Sequence, residues 1–287
     1  MIPGLFAYHR PTSLAEAVGL ITTHGDAARL LAGGHSLIPM MKLRLATPEH
    51  LVDLGRIADL KGIRREQDGW EIGATVTQAE LIADAALAAE LPVLRETALL
   101  IADPQVRACG TLGGNVANGD PGNDMPALMM CLDARYEIVG TNGKRTVPAR
   151  GFYLGAYETA LGPDEILTSV RIPHPAPGFV AAYEKLKRKI GDYATAAAAV
   201  GLSLVGGRIA TCAIALTNVA PTPLLAEEAA AGLIGKAPDD AAFADAARAA
   251  EAITDPAEDG RGPAEYRTRM AGVMVRRALA RAARAAA

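Results

Sequence analysis

Two stretches of the chain carry paired glycines: Ala32-Gly33-Gly34-His35-Ser36 and Thr111-Leu112-Gly113-Gly114-Asn115. Glycine allows positive φ angles and lets a ligand approach the main chain closely. Successive backbone N–H groups in such a segment form a concave nest that binds anions. Either stretch alone is typical of an ordinary tight turn. The two together predict a pyrophosphate group that is held from two sides.

Composition narrows the class of protein. The chain has 287 residues, of which 50% are hydrophobic and 21% charged, and this allows two or three domains with large cores. Its net charge of −3 argues against nucleic-acid binding, which usually needs a basic face. The three cysteines, Cys109, Cys131 and Cys212, form no C-x-x-C pair. We therefore expect neither zinc nor an iron–sulfur cluster in this chain.

The sequence also bears on where the protein works. It begins without a basic segment followed by an apolar one, so no secretory signal is expected. No apolar run is long enough to span a bilayer, and the sparse cysteines fit a reducing compartment. The expectation is a cytoplasmic protein, with any association with the inner face of the cytoplasmic membrane made through partners.

The pattern of elements predicts an α+β protein. Ser13 and Thr77 each begin an S/T-x-x-E capping box, which predicts the start of a helix. Asn142-Gly143 between two strand-like runs predicts a β-hairpin, and the proline-rich residues 173–178 are the best linker candidate. We therefore expect three parts: a first lobe at 1–56, a second lobe at 57–177 and a C-terminal domain at 178–287.

The C-terminal domain is predicted to combine one sheet with alanine-rich helices. Three strand-like stretches come first: Ala181–Leu186, Ala196–Val205 and Arg208–Thr217. Leu224–Gly232 and Asp239–Ile253 follow as helices, and a last helix begins at Ala264.

An acidic segment follows the second glycine stretch and includes Asp120 and Asp124. It is either a solvated turn or a set of acceptors for sugar hydroxyls, and Asp124 suits a ribose or ribityl group in the way that an acidic residue does in dinucleotide folds. The chain has no G-x-G-x-x-G fingerprint and no P-loop. The predicted ligand therefore binds to a different architecture from the doubly wound nicotinamide-binding sheet.

A third segment, Lys185–Thr195, combines dense positive charge with Tyr193. The charge is either a solvated strand edge or a docking surface, and Tyr193 is either an anchor or a ring that stacks on a cofactor. The five histidines have no metal-ligand spacing, and His35 is interpreted as a phosphate or ribityl neighbour rather than a general base. We predict no catalytic residue and no metal ligand in this chain.

These segments together resemble the FAD-binding medium subunits of the molybdenum hydroxylase family, which includes the flavin domain of xanthine dehydrogenase. The resemblance runs nearly end to end. It is strongest toward the carbon monoxide dehydrogenase branch over Ala32–Leu51, Asn118–Leu128 and Glu184–Ala199. It implies a two-lobed FAD-binding fold of the vanillyl-alcohol oxidase type, followed by a C-terminal domain with a three-stranded antiparallel sheet and helices.

The resemblance also implies one noncovalent FAD per chain. Its pyrophosphate would lie on the two glycine stretches, Asp124 would contact the ribose, and Ile101 would pack on the flavin or adenine. Tyr193 would cover one face of the isoalloxazine, and Lys185 would reach the polar edge of the flavin. The implied cofactor-binding residues are Ala32, Gly33, Gly34, His35, Ser36, Ile101, Thr111, Leu112, Gly113, Gly114, Asn115, Asp124, Lys185 and Tyr193.

Partner subunits are implied as well. A small subunit would hold two [2Fe–2S] clusters, and a large subunit would hold molybdopterin cytosine dinucleotide with a Mo–Cu centre, in a dimer of heterotrimers. Electrons from CO oxidation would pass through the clusters and FAD to a quinone-linked acceptor. Three alternatives stay open: a molybdenum hydroxylase for aldehydes or N-heterocycles, a self-sufficient flavin oxidase, and a scaffold that has kept the fold.

Overall fold

The computed structural model describes residues 2–286. Fourteen strands form four sheets within these residues. The strands are, in chain order, β1 (Ala7–His9), β2 (Ala28–Leu31), β3 (His50–Asp53), β4 (Ile63–Arg65), β5 (Gly69–Gly73), β6 (Arg135–Gly140), β7 (Gly143–Pro148), β8 (Tyr153–Gly155), β9 (Glu158–Thr159), β10 (Ile166–Pro173), β11 (Phe179–Leu186), β12 (Ala196–Val205), β13 (Arg208–Thr217) and β14 (Leu224–Leu225).

Most of the helices are short, and they fill the connections between the sheets. They are α1 (Leu14–His24), α2 (Leu37–Lys42), α3 (Gln78–Ala83), α4 (Ala85–Glu90), α5 (Pro92–Leu100), α6 (Pro104–Cys109), α7 (Leu112–Ala117), α8 (Asp124–Cys131), α9 (Glu227–Ala231), α10 (Asp240–Glu251) and α11 (Ala264–Ala286). Across residues 2–286, no helix is both long enough and apolar enough to cross a membrane.

The first sheet is parallel, with the order β1-β3-β2. Helix α1 connects β1 to β2 and buries Ala17, Val18 and Ile21 against the core. Its predicted capping box is only half formed: the Ser13 hydroxyl accepts from the Glu16 N–H at 3.2 Å, but the Glu16 carboxylate accepts from the N–H of Thr12. The box at Thr77 is complete and begins α3 as predicted.

The second sheet is antiparallel, with the order β4-β5-β10-β6-β7. The predicted hairpin is confirmed, because β6 and β7 pair around a turn in which Gly143 has φ of +96°. Helices α3–α8 are inserted between β5 and β6. This insertion brings the second glycine stretch back toward the first sheet.

The C-terminal sheet has the order β11-β12-β13-β14 and is antiparallel. The predicted three strands are present, but the expected helix at Leu224–Gly232 begins only at Glu227, and Leu224–Leu225 forms a fourth strand beside β13. The N–H of Ala226 donates to the Ile214 carbonyl at 2.8 Å, which ties this segment to the sheet edge before the helix starts. Pairing with the sheet therefore outweighs the local helix propensity of this segment.

The alanine-rich sequence of β12 reflects burial on both faces of its sheet. Ala197 and Ala199 face the core of the N-terminal part, whereas Ala196 and Ala198 face α10 and α11. Small side chains let the layers approach closely on both sides. Arg281 on α11 bonds to Glu184 at 3.1 Å and so helps to fix α11 on this sheet.

Candidate functional site

A cleft of about 690 Å³ lies where the two glycine stretches meet the C-terminal sheet. Protein sites for large organic ligands have volumes of roughly 300–1,000 Å³. The cleft gathers nearly all of the predicted binding residues from separate parts of the chain. Lining residues among them are Ala32, Gly33, Gly34, His35, Ser36, Ile101, Thr111, Gly113, Gly114, Asn115, Asp124, Lys185 and Tyr193. The exception is Leu112, whose side chain is fully buried in the core.

The first glycine stretch connects β2 to α2 and forms one wall of the cleft. Gly34 has φ of +74°, a conformation that favours glycine. The backbone N–H groups of Gly33, Gly34, His35 and Ser36 have no acceptor among residues 2–286. Four consecutive free donors match the anion nest that the sequence predicts.

Gly33 has a second role, which is to let the two glycine regions pack together. A Cβ atom at this position would lie 2.3 Å from the carbonyl oxygen of Cys109 and 2.7 Å from the Cα of Gly110. No larger residue fits without moving backbone. The nest is therefore held in place by direct main-chain contact with the segment that leads into α7.

The second glycine stretch differs from the open loop that the sequence predicts. Thr111 is the N-cap of α7, and its hydroxyl accepts from the N–H of Gly114 at 3.0 Å. The N–H groups of Leu112 and Gly113 donate to the carbonyls of Val76 and Ala74, and that of Asn115 donates to Thr111. These donors are already used within the protein, so this stretch forms a helix start in the cleft wall rather than a second free nest.

Asn115 organises the acidic segment that follows. Its carbonyl oxygen accepts from the Asn123 side chain at 2.8 Å, and its own side-chain oxygen accepts from the N–H of Met125 at 3.3 Å. The Asp120 carboxylate accepts from the N–H of Gly122 at 2.9 Å. This segment is therefore an ordered connection that places Asp124 at the start of α8, beside the cleft.

Asp124 is buried and paired. One carboxylate oxygen accepts from the Tyr183 hydroxyl at 2.7 Å, and the other accepts from the Lys185 ammonium at 2.7 Å. Burial raises the pKa of the Asp124 carboxyl, whereas the charge of Lys185 and the hydrogen bond from Tyr183 oppose this shift. The Asp124 and Lys185 side chains are 5% and 1% exposed. Each thus has the other as its principal partner.

Ile101 lies at the end of α5, where the chain turns sharply toward α6. Ala102 adopts φ of +42°, and the Arg107 guanidinium donates to the Ile101 carbonyl at 2.8 Å. The Ile101 side chain is half-buried and lines the cleft. The turn therefore presents an apolar contact to a ligand in the cleft.

Tyr193 lies at the mouth of the cleft and is 42% exposed. The Arg261 guanidinium carbon lies 5.6 Å from the centre of its ring, and Gly122 packs beside the ring because a Cβ there would come within 2.7 Å of it. Burial and the nearby Asp120 charge raise the pKa of the Tyr193 hydroxyl. The ring is therefore neutral and held from one side, as a stacking residue should be.

Sequence reasoning missed two amide side chains in the cleft wall, Gln78 and Asn118. Neither the amide oxygen nor the amide nitrogen of Gln78 has a hydrogen-bond partner within residues 2–286, and the Asn118 amide nitrogen also lacks one there. Buried polar groups without partners are uncommon in native proteins. No local sequence motif indicates that these two amide groups are buried in the cleft wall.

The cleft thus offers a nest for an anion, unpaired amides for polar ring edges or hydroxyls, and an aromatic ring for stacking. No cysteine within residues 2–286 lines it, and His35 is the only histidine of that range that does. These donors fit an extended ligand with phosphates, sugar hydroxyls and a flat heterocycle.

Comparisons with known proteins agree with this chemistry. A family described as the FAD binding domain in molybdopterin dehydrogenase matches residues 4–175. A second family, the CO dehydrogenase flavoprotein C-terminal domain, matches residues 181–282. The chain belongs to this family of FAD-binding flavoprotein subunits of molybdenum hydroxylases.

Individual relatives indicate which members of this family the chain resembles. The chain is 65% identical over 282 residues to the carbon monoxide dehydrogenase medium chain of Afipia carboxidovorans, with 98% of each chain covered. It is 53% identical to the corresponding chain of Hydrogenophaga pseudoflava, with 97% of each covered. Its fold matches a crystal structure of the cyanide-inactivated Cu,Mo-CO dehydrogenase with a TM-score of 0.98 at 64% identity, over 100% of both chains. The resemblance stated from the sequence is confirmed.

Proposed function

We propose that this chain is the FAD-carrying medium subunit of a molybdenum-containing carbon monoxide dehydrogenase. The observation that carries the proposal is the cleft between the glycine stretches and the C-terminal sheet, in a chain that aligns along its full length with carbon monoxide dehydrogenase medium chains. A relative that had kept only the fold would not need to keep a nest of free N–H groups.

We infer that the first glycine stretch, Ala32–Ser36, binds the pyrophosphate through its free N–H groups. The second, Thr111–Asn115, closes the opposite wall, and Gln78 and Asn118 supply hydrogen bonds to polar atoms of FAD. Asp124 offers its remaining lone pairs to a ribose hydroxyl, while Lys185 and Tyr183 hold its carboxylate in place. Ile101 packs on a ring of the cofactor, and Tyr193 covers one face of the isoalloxazine.

The proposed arrangement corresponds to the two-lobed FAD-binding fold of the vanillyl-alcohol oxidase type, with parts at 1–56, 57–177 and 178–287. When bound, FAD supplies the ability to accept electrons from one-electron carriers and to pass them on. The residues of this chain bind and orient it, shield one face, and keep a neutral hydroxyl at Tyr193 near the ring. The chain itself supplies no substrate chemistry.

The division of labour between subunits is part of the proposal. Carbon monoxide is oxidised on a large partner that holds molybdopterin cytosine dinucleotide and copper. A small partner with two [2Fe–2S] clusters passes the electrons to this FAD, and a quinone-linked acceptor receives them. The assembly is proposed to be a dimer of heterotrimers that works in the cytoplasm and reaches the inner face of the membrane through its partners.

The test of cofactor binding uses the purified full chain. We expect one FAD per chain, released entirely into the supernatant on acid precipitation, because no cysteine within residues 2–286 lines the cleft and its one histidine of that range, His35, belongs to the proposed phosphate nest. Flavin that stays in the acid pellet would indicate a covalent link and favour the self-sufficient oxidase. A chain that takes up no flavin would favour the scaffold.

A further inference from the structure

Three histidines that are distant in sequence meet in the first lobe. His9 ends β1, His24 ends α1, and His50 begins β3. In the parallel pairing of β1 with β3, His9 lies opposite Val52, two residues beyond His50. Since side chains alternate between the faces of a strand, His9 and His50 lie on the same face. The last turn of α1 adds His24 to this face.

The three rings form a compact group. The His24 and His50 rings stack with their centres 3.6 Å apart and 13° between their planes, and His9 Nε2 lies 3.0 Å from His50 Nδ1. One ring nitrogen from each residue lies within 4.8 Å of the other two. Apart from the contact between His9 and His50, their ring nitrogens have no hydrogen-bond partner among residues 2–286.

The chemistry of this group of rings suits a metal cation. Neutral imidazole nitrogens are preferred ligands of zinc, copper and nickel ions. All three side chains are half-buried, which leaves a route for an ion and a position for water.

We propose that His9, His24 and His50 form a binding site for one divalent transition-metal ion, with water completing the coordination. Zinc–nitrogen bonds are about 2.0–2.1 Å long, so nitrogens bound to one tetrahedral ion lie about 3.3–3.4 Å apart. A pair at the 4.8 Å limit must therefore close by roughly 1.4 Å, and the stacked rings must turn so that the ion lies in the plane of each.

A metal ion bound to these three histidines would link the edge strand β1 to α1 and β3. It adjoins the cleft, because Gly25 follows His24 and lines the cleft, and Ala28, which also lines it, pairs with His50. Metal binding would therefore stabilise the lobe that carries the first glycine stretch. The site requires no catalytic role and does not depend on the identity of the cofactor.

The test is a calorimetric titration of the chelator-treated full chain with Zn²⁺ alone. We expect one equivalent to bind, and we expect His24→Ala and His50→Gln each to weaken binding at least about tenfold, since even outer partners of a metal site are worth about 10–100-fold. His24 ends a helix, where alanine is well tolerated. His174→Gln is the matched control, because His174 bonds to Glu66 and Glu90 outside the cluster and should leave Zn²⁺ affinity unchanged.

Two further readouts keep the proposal open to refutation. Zn²⁺ should raise the unfolding temperature of the unmodified chain but not of His24→Ala, and bound Cu²⁺ should show several nitrogen ligands by electron paramagnetic resonance. Absence of stoichiometric Zn²⁺ binding would overturn the proposal. So would equal affinity in His24→Ala, His50→Gln and the His174→Gln control, which would indicate adventitious surface binding only.

Discussion

The buried pair between Asp124 and Lys185 gives the sharpest mutational prediction. Their charged atoms lie 2.7 Å apart, and the side chains are 5% and 1% exposed. Removing one partner of such a pair leaves an uncompensated buried charge, which costs about 3–5 kcal/mol. We therefore expect Lys185→Met, which keeps most of the side-chain volume, to lower the free energy of unfolding of the full chain by about 3–5 kcal/mol at neutral pH.

The pH dependence of this variant follows from the same geometry. Burial raises the pKa of Asp124, and Lys185→Met removes the positive charge that opposes the shift. A raised pKa in the folded state means that folding favours the protonated carboxyl. The lost stability should therefore return as the pH falls toward about 4, the ordinary pKa of aspartate, and should be lost again as the pH rises through the raised value.

Urea unfolding followed by circular dichroism measures both effects. The matched control is the double variant Asp124→Asn/Lys185→Met, which removes both charges and keeps an acceptor for the Tyr183 hydroxyl. Replacing both members of a buried pair is often close to neutral, so the double variant should recover most of the loss. The reasoning would be refuted if Lys185→Met lay within 1 kcal/mol of the unmodified chain, or if the double variant were as unstable as the single one.

The remaining predictions concern the cleft. Gln78→Leu should stabilise the FAD-free chain by about 1–3 kcal/mol, because it removes a buried amide without a partner. It should also weaken FAD binding about tenfold, the equivalent of one hydrogen bond of about 1.4 kcal/mol. Unchanged affinity in a fluorescence titration would show that Gln78 does not contact FAD. Tyr193→Ala should change the visible spectrum of the flavin and weaken FAD binding about two- to tenfold, since a stacked aromatic pair is worth roughly 0.5–1.5 kcal/mol. The control Tyr266→Ala removes a ring of similar exposure away from the cleft and should change neither the spectrum nor the affinity. Gly33→Ala should lower the free energy of unfolding by about 1–3 kcal/mol and reduce FAD content, because the new Cβ would lie 2.3 Å from the Cys109 carbonyl oxygen. The control Gly19→Ala has open space around the new Cβ and should be neutral or stabilising. Equal FAD content in the two variants would contradict the packing argument.

Local signals in the sequence predicted those elements that local chemistry determines. The Thr77 capping box and the turn at Asn142-Gly143 each contain their own hydrogen-bonding groups, and both form as expected. The helix that begins after Thr77 is short, because the chain breaks at Asp84, whose carboxylate caps α4 by accepting from the N–H of Leu87. A cap within an apolar pattern was the signal that could have revealed this break.

The short helices α2, α6 and α7 were not predicted. Each has six residues, which is too few for propensity to decide. Helix α7 is fixed instead by contacts from outside it: Gly113 packs on Ala74, where a Cβ would come within 2.5 Å of the backbone, and its N–H donates to the same residue. Such contacts between distant segments leave no periodic pattern in the sequence.

The candidate site also combines features that the sequence indicates with contacts that only the fold creates. The glycine pairs, an acidic residue and an aromatic residue can be recognised in the sequence from their residue types, and the fold brings them to one cleft. The pairing of Asp124 with Lys185 joins α8 to β11, and the cluster of His9, His24 and His50 joins three elements of the first lobe. Both depend on three-dimensional proximity, so spacing along the chain could reveal neither.

Electron delivery from carbon monoxide is the most direct test of the proposed function. Dye reduction would be followed under anaerobic conditions with CO, first with the FAD-loaded chain alone and then after addition of the small iron–sulfur and large molybdenum partners. We predict no turnover by the chain alone and CO-dependent bleaching of its flavin, with dye reduction, in the reconstituted complex. Turnover of CO by the lone chain, or a flavin that stays oxidised in a complex whose iron–sulfur clusters are reduced by CO, would contradict the electron-relay role.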